Sequence, residues 1–229
     1  MAWDVNKLYE FTKFLTNKNL AGGIPATDFF YAWNPEQKSY QEDLLGRWQN
    51  RNNGKTGNNT GMVLDETTMQ KLSPFTKNTS LTITAAAATK PTDLMYKLAL
   101  RINGFKVEAI NHSQKYSVTN SVIDPPSTTD NKYYYLEYED YYSFLPSTLP
   151  VTGITNAELD YICACEDVKW AYTNDSKGRQ IYNPGLSVQP LWDDNSLIEI
   201  TKRTLKALGV HFKDSDFKEF GNSNIASGN

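Results

Sequence analysis

Leu94-Met95-Tyr96-Lys97-Leu98-Ala99-Leu100-Arg101-Ile102-Asn103-Gly104-Phe105-Lys106-Val107-Glu108-Ala109-Ile110 is the stretch on which the fold turns. Its first nine residues are mostly apolar or aromatic, as a strand against a core requires. Asn103-Gly104 follows, the dipeptide that most readily supplies the two positive φ angles of a tight hairpin turn. The chain then runs back through Lys106–Ile110. An antiparallel strand pair is therefore predicted near the middle of the sequence.

The strand pattern extends to both sides of this hairpin. Upstream, Ser80–Thr84 alternates Leu81 and Ile83 with polar residues, and Ala85–Ala88 continues as strand end or loop. Downstream, Ser113–Asn120 has room for one or two helical turns. Asp124-Pro125-Pro126-Ser127 excludes helix and central strand, because proline lacks an N–H. Lys132–Leu145 is dense in tyrosine and reads as one or two strands, and Leu159–Cys165 as another. Trp170–Tyr172 and Arg179–Tyr182 flank the polar turn Asn174–Gly178, a further hairpin.

The two ends carry the helical period instead. Over residues 4–19, Leu8, Phe11 and Leu15 share a face, with Phe14 beside them and Asp4 as cap. Thr27 caps a short piece from Asp28 to Trp33. Asn34-Pro35-Glu36-Gln37 reads as a restart, with Pro35 at the first helical position. The restarted helix runs to about Gln49, with Tyr40, Leu44 and Trp48 in line. Arg51–Gly61 reads as a polar, mobile loop, and a short helix follows near Asp65–Leu72. At the far end, Ser196-Leu197-Ile198-Glu199 matches a capping box. Leu197, Thr201, Leu205 and Leu208 form a stripe, and Gly209 stands where a helix ends. Residues 221–229 are polar and read as a frayed tail. The architecture predicted is α+β: N-terminal helices, a central antiparallel β-sheet and a C-terminal helix. Residues 1–72 form the helical region. Residues 73–229 form a β-rich region closed by the last helix, the whole integrated as one domain.

Composition narrows the function. The 229 residues carry Lys+Arg 23 against Asp+Glu 26, a net charge of −3. That balance argues against binding to nucleic acid or anionic membrane by bulk charge. Lysine far outnumbers arginine, so bidentate phosphate reading is poorly supplied. No apolar run is long enough to span a membrane, and no secretory signal is visible at Met1-Ala2-Trp3-Asp4. With Cys163 and Cys165 as the sole cysteines, a reducing cytosol is the expected site of synthesis. Aromatic residues are plentiful, with Tyr 14, Phe 10 and Trp 5. Such residues suit interfaces as well as cores. Phe11, Trp33, Trp48, Tyr134, Trp170 and Trp192 are the candidate interface or structural anchors. Trp192 is expected to be buried against the last helix near Leu197 or Ile200.

Chemistry-bearing patterns are sparse. Cys163-Ala164-Cys165 puts two sulfurs on one strand face, but zinc needs about four ligands, and His112 and His211 lie far away in sequence. The pair reads as structural thiols. Glu137 and Glu139 would lie about 7 Å apart on one strand face. That spacing falls in the range of about 6.5–9.5 Å of an inverting glycosidase, yet alternation is also what a strand with one wet face shows. No nucleophile elbow, phosphate loop, dinucleotide fingerprint or His-Glu-x-x-His motif occurs. No catalytic, cofactor-binding or metal residue is assigned, no cofactor is expected, and the chain is read as a non-enzyme.

Three stretches together carry a resemblance. The first is Leu8-Tyr9-Glu10-Phe11-Thr12-Lys13-Phe14-Leu15-Thr16-Asn17-Lys18 with Gly22-Gly23-Ile24-Pro25. The second is Ser121-Val122-Ile123-Asp124-Pro125-Pro126-Ser127. The third is Gly178-Arg179-Gln180-Ile181-Tyr182, Ser187-Val188-Gln189-Pro190-Leu191-Trp192-Asp193-Asp194 and the helix through Leu205-Lys206-Ala207-Leu208-Gly209-Val210. In this order they resemble virion tail ring, or head-to-tail connector, proteins of crAss-like short-tailed bacteriophages. The resemblance implies a structural protein assembled in the host bacterial cytoplasm and carried in the virion. It implies a ring of about twelve copies matching the portal. Its partners would be itself, the portal protein and other tail rings, with DNA passing non-specifically and no membrane anchor. The rival expectation is a carbohydrate-binding or hydrolysing β-rich module for a host surface, with tyrosines as sugar platforms.

Overall fold

The computed structural model describes the backbone of residues 3–18, 24–53, 66–123 and 125–209, and side chains over 3–16, 24–46, 67–123 and 125–209. The polar segment 54–61, the tail 221–229, His211 and the Trp48 side chain lie outside the described residues. The elements are α+β, as the sequence pattern predicts. In order they are α1 (Val5–Lys18), α2 (Ala26–Asn53), α3 (Glu66–Leu72), β1 (Thr76–Thr82), β2 (Ala87–Thr89), β3 (Leu94–Ile102), β4 (Phe105–Lys106), β5 (Glu108–Ala109), α4 (Lys115–Thr119), β6 (Tyr134–Glu137), β7 (Tyr141–Leu145), β8 (Asn156–Cys163), β9 (Tyr172–Asn174), β10 (Gln180–Tyr182) and α5 (Asp194–Ala207).

The chain divides into two units, residues 1–74 with 165–229 and residues 75–164. This partition differs from the expected boundary at 72/73 with everything downstream in one β-rich region. The last helix belongs with the first ones, and α5 packs on α2.

In the helical unit, α1 starts where Asp4 Oδ1 accepts from Lys7 N at 2.7 Å and buries Val5, Leu8, Phe11 and Leu15. The expected break at Asn34-Pro35 is absent: α2 runs unbroken with Pro35 inside it. Proline removes the N–H that would bond the Tyr31 carbonyl, and Tyr31 is 85% exposed, so water can take that place. The α5 cap also differs from expectation. Asp193, not Ser196, is the N-cap and accepts from Ser196 N. Ser196 is instead buried in the first turn, its Oγ donating to Asp193 Oδ1 at 2.5 Å. The far end agrees with the reading, with Gly209 at φ 78 just past the last turn. The α5 stripe is Leu197, Ile200, Thr201, Thr204 and Leu205. Its two threonines can be buried because they donate to Leu197 O and Ile200 O, one turn back.

The β unit holds two four-stranded sheets, ordered β1-β8-β3-β4 and β2-β7-β6-β5, where one central antiparallel sheet is expected. The pairings are antiparallel except β5 with β6, which is parallel. The Asn103-Gly104 turn forms, with φ 53 and 80, but its return arm β4 pairs over just Phe105 and Lys106. The chain then leaves for the other sheet, where Glu108 and Ala109 line up beside Tyr134 and Tyr135. Strand β8 alternates buried Ala157, Leu159 and Tyr161 with outward residues and pairs on both sides. The low-complexity alanines make a second tight turn: Ala85 and Ala86 take φ 49 and 57, and Thr84 and Ala87 exchange both backbone bonds, at 2.8 and 3.0 Å. Two alanines with positive φ carry no turn signature, which is why the sequence leaves this segment undecided.

Candidate functional site

Three of the candidate anchors lie in the core of the helical unit. Phe11 is buried against the edge of Trp3, ring centroids 5.0 Å apart. Trp33 is fully buried beside Phe30, and its Nε1 has no hydrogen-bond partner among the described residues. Trp192 is buried as expected and also contacts α2. Its ring meets Tyr40 edge-on at 5.3 Å, and its Nε1 donates to Gln37 Oε1 at 3.3 Å. Tyr134 is half-buried in β6.

Around Trp192 the sequence hides an amide ladder. Asn34, Gln37 and Gln41 project from α2 toward the extended residues 165–168. Asn34 donates to Val168 O at 3.1 Å and accepts from Val168 N at 2.9 Å. Gln37 donates to Glu166 O at 2.9 Å, and Gln41 accepts from Cys165 N at 3.0 Å. Helix side chains here satisfy backbone groups as a neighbouring strand would. Spacing i, i+3, i+7 is the signal, but the Asn-Pro dipeptide masks it.

Trp170, half-buried, is the root of the β9–β10 hairpin. Its ring stacks with Tyr182 at 6.1 Å and lies 5.7 Å from Tyr172 and 5.5 Å from Tyr9, while its Nε1 donates to Asn6 at 3.1 Å. Beyond this root, residues 172–181 are exposed except Asp175. Asp175 Oδ1 accepts from both Lys177 N and Arg179 N at 2.8 Å.

The β unit carries an open cleft of about 760 Å³ between the Thr89–Lys97 segment and the β6–β7 turn. Glu137 is held there by Lys97 at 2.7 Å and Lys90 at 3.0 Å. The Lys97 ammonium also sits 4.3 Å from the centre of the Tyr135 ring, and that of Lys90 5.0 Å from Tyr142. Burial would raise the Glu137 pKa, but the two ammoniums outweigh it and hold the carboxyl below its ordinary range. A general acid needs the opposite shift. Glu139 does not share a strand face with Glu137, since β6 ends at Glu137 and Glu139 stands in the turn. Tyr135 and Tyr142 are buried with lysines against their rings, so they offer no open platform to a sugar. Sequence reading missed Lys90 and Lys97 because their meeting with Glu137 joins the segment after β2, strand β3 and the end of β6, which are far apart in sequence.

Cys163 and Cys165 are both buried thiols. Burial pushes the Cys163 thiol pKa up, which keeps it protonated and unreactive. Among the described residues, no three His, Cys, Asp or Glu side chains converge on a possible metal position, and no helix is long and apolar enough to cross a membrane.

No protein-family model matches the chain, and no curated protein matches its sequence.

Proposed function

We propose that this chain is a structural protein of a bacteriophage virion, forming an oligomeric ring in the tail or head-to-tail connector between portal and distal tail. The observation that carries the reading is the amount of large apolar side chain left in water on both units. Tyr31, Tyr172, Ile181, Leu186 and Leu191 are exposed on the helical unit, and Phe105, Tyr116, Val122, Ile123 and Tyr141 on the β unit. Val122 and Ile123 are adjacent and each 96% exposed. A subunit in a ring needs apolar surface for two lateral neighbours. The near-neutral charge suits a lumen through which DNA passes without being gripped. The sequence resemblance to tail ring proteins of crAss-like phages points the same way. Its partners are further copies of itself, the portal and other tail rings, and it is assembled in the host cytoplasm without catalytic activity of its own. Electron microscopy of purified virions of a phage whose genome encodes the chain tests this. A ring of copies next to the portal is expected; a single copy per virion, or none, overturns it.

A further inference from the structure

We propose that the tip of the β9–β10 hairpin of one copy docks into the Glu139–Asp140 side of the β-unit cleft of the next copy. This contact, which rests on the ring reading above, forms the lateral joint. The donor is an arm built to project. A two-stranded ribbon with no third strand is marginal in water, yet this one is fixed at both ends. Trp170 stacks under its root. At the tip, Asp175 clamps two backbone N–H groups, and Gly178, at φ 76, donates to Asp175 O at 3.0 Å. A turn already ordered loses little entropy on docking. It carries Lys177 and Arg179 against a single carboxylate, Asp175. Arg179 is 71% exposed, and its Nε lies 3.9 Å from Asp175, too far for a hydrogen bond. The tip is cationic, and its flanks present exposed Tyr172 and Ile181.

The receiver has the complementary chemistry. The cleft's two lysines are already occupied, both on Glu137 and each against a tyrosine ring. The β6–β7 turn supplies Glu139 and Asp140, both exposed, between Tyr138 and Tyr141. Those two rings stack at 4.6 Å with planes 9° apart, and Tyr141 is 40% exposed. Carboxylates beside an aromatic face are what a guanidinium or ammonium group pairs with. Donor and receiver are different patches, so the contact is heterologous: it leaves both patches of a pair open to further copies and propagates until a ring closes. Two separate surfaces, one per neighbour, are what such a ring requires.

The test uses full-length protein in sedimentation over a concentration series at low and high salt. The tip is reversed with Lys177→Glu and Arg179→Glu, and the rim with Glu139→Lys and Asp140→Lys. These side chains are exposed, and thermal melts of each variant check that folding is kept. Wild type is expected to associate, less at high salt. Either reversed variant alone should associate at least about tenfold more weakly. Mixing the two variants should restore association, because each tip then meets a rim of opposite charge. Variants that associate like wild type, or a mixture that rescues nothing, overturn the joint. So does a wild-type chain that stays monomeric throughout. None of these results touches the ring reading, which fails only if virions show no ring of this chain.

Discussion

Trp192 shows how one side chain joins distant parts of the helical unit. It precedes the α5 cap, packs on Tyr40 of α2 and gives its N–H to Gln37, which in turn holds Glu166 O. Removing the ring leaves a cavity and strands a buried amide oxygen. Trp192→Ala is expected to lower stability by about 3–5 kcal/mol, against about 1 kcal/mol for Asp193→Ala, which loses one cap. Urea unfolding of the two variants checks the order; equal losses would mean that Trp192 is not a core residue. Tyr142 gives the opposite case. Its ring is fully buried, its hydroxyl has no hydrogen-bond partner among the described residues, and burial raises its pKa. A buried hydroxyl left unpaired is destabilising by about 1–3 kcal/mol. Tyr142→Phe keeps the ring under Lys90 and removes the unpaired group. It should therefore leave the melting temperature unchanged or raise it, where a conventional tyrosine deletion would lower it.

At the scale of elements, acid is the informative perturbation. Three carboxylates of the β unit lie below their ordinary pKa. Asp93 is held down chiefly by its hydrogen bond from Lys77, and Asp160 by Asn78 and then Arg101. For Glu137, burial works upward and the bonds from Lys97 and Lys90 prevail. A lowered folded pKa means that the unfolded chain binds protons first as pH falls. The stabilisation is therefore complete above the ordinary carboxylate range and is lost as pH drops through the folded values. Each pair is partly exposed and contributes under about 1 kcal/mol. Glu137→Gln should narrow the difference between melting temperatures at neutral pH and at about pH 3. A variant with the wild-type pH dependence would refute the assignment.

These pairs also mark what the sequence makes legible. Local patterns were readable: the Leu8/Phe11/Leu15 face, the Asn103-Gly104 turn and the Asn174–Gly178 hairpin all form where periodicity and turn chemistry put them. What failed to read was set by partners far along the chain. Pro35 breaks no helix because α2 is held by the Asn34 and Gln37 contacts to residues 166–168. The return arm after Gly104 is short because the chain goes on to place Glu108 and Ala109 beside β6. The cleft joins Lys90, just past β2, with Lys97 of β3 and Glu137 of β6, a proximity that no spacing rule contains.

At the scale of the whole molecule, the two units differ in how they are written into the chain. The helical unit is discontinuous, closed by α5 only after the β unit has been made. The β unit is one uninterrupted segment, residues 75–164, with its own pair of four-stranded sheets. Its strands bury Leu81, Leu100, Ile102, Leu136, Phe144 and Leu159, and the ion pairs of Asp93, Glu137 and Asp160 are all internal to it. A segment with its own core and continuous sequence meets the requirements of an independent folding unit. A polypeptide of residues 75–164 is therefore expected to fold alone. It should show a strand-type circular dichroism spectrum, a cooperative thermal transition and dispersed amide resonances. The remainder, residues 1–74 joined to 165–229 by a short flexible linker, must bring α2 and α5 together without the intervening unit. Its transition should be the one that Trp192→Ala shifts, while any shift from Tyr142→Phe should fall only on that of the 75–164 polypeptide. A 75–164 chain that remains unfolded would show that its sheets depend on the helical unit for stability, and the division into two units would then be one of geometry and not of folding.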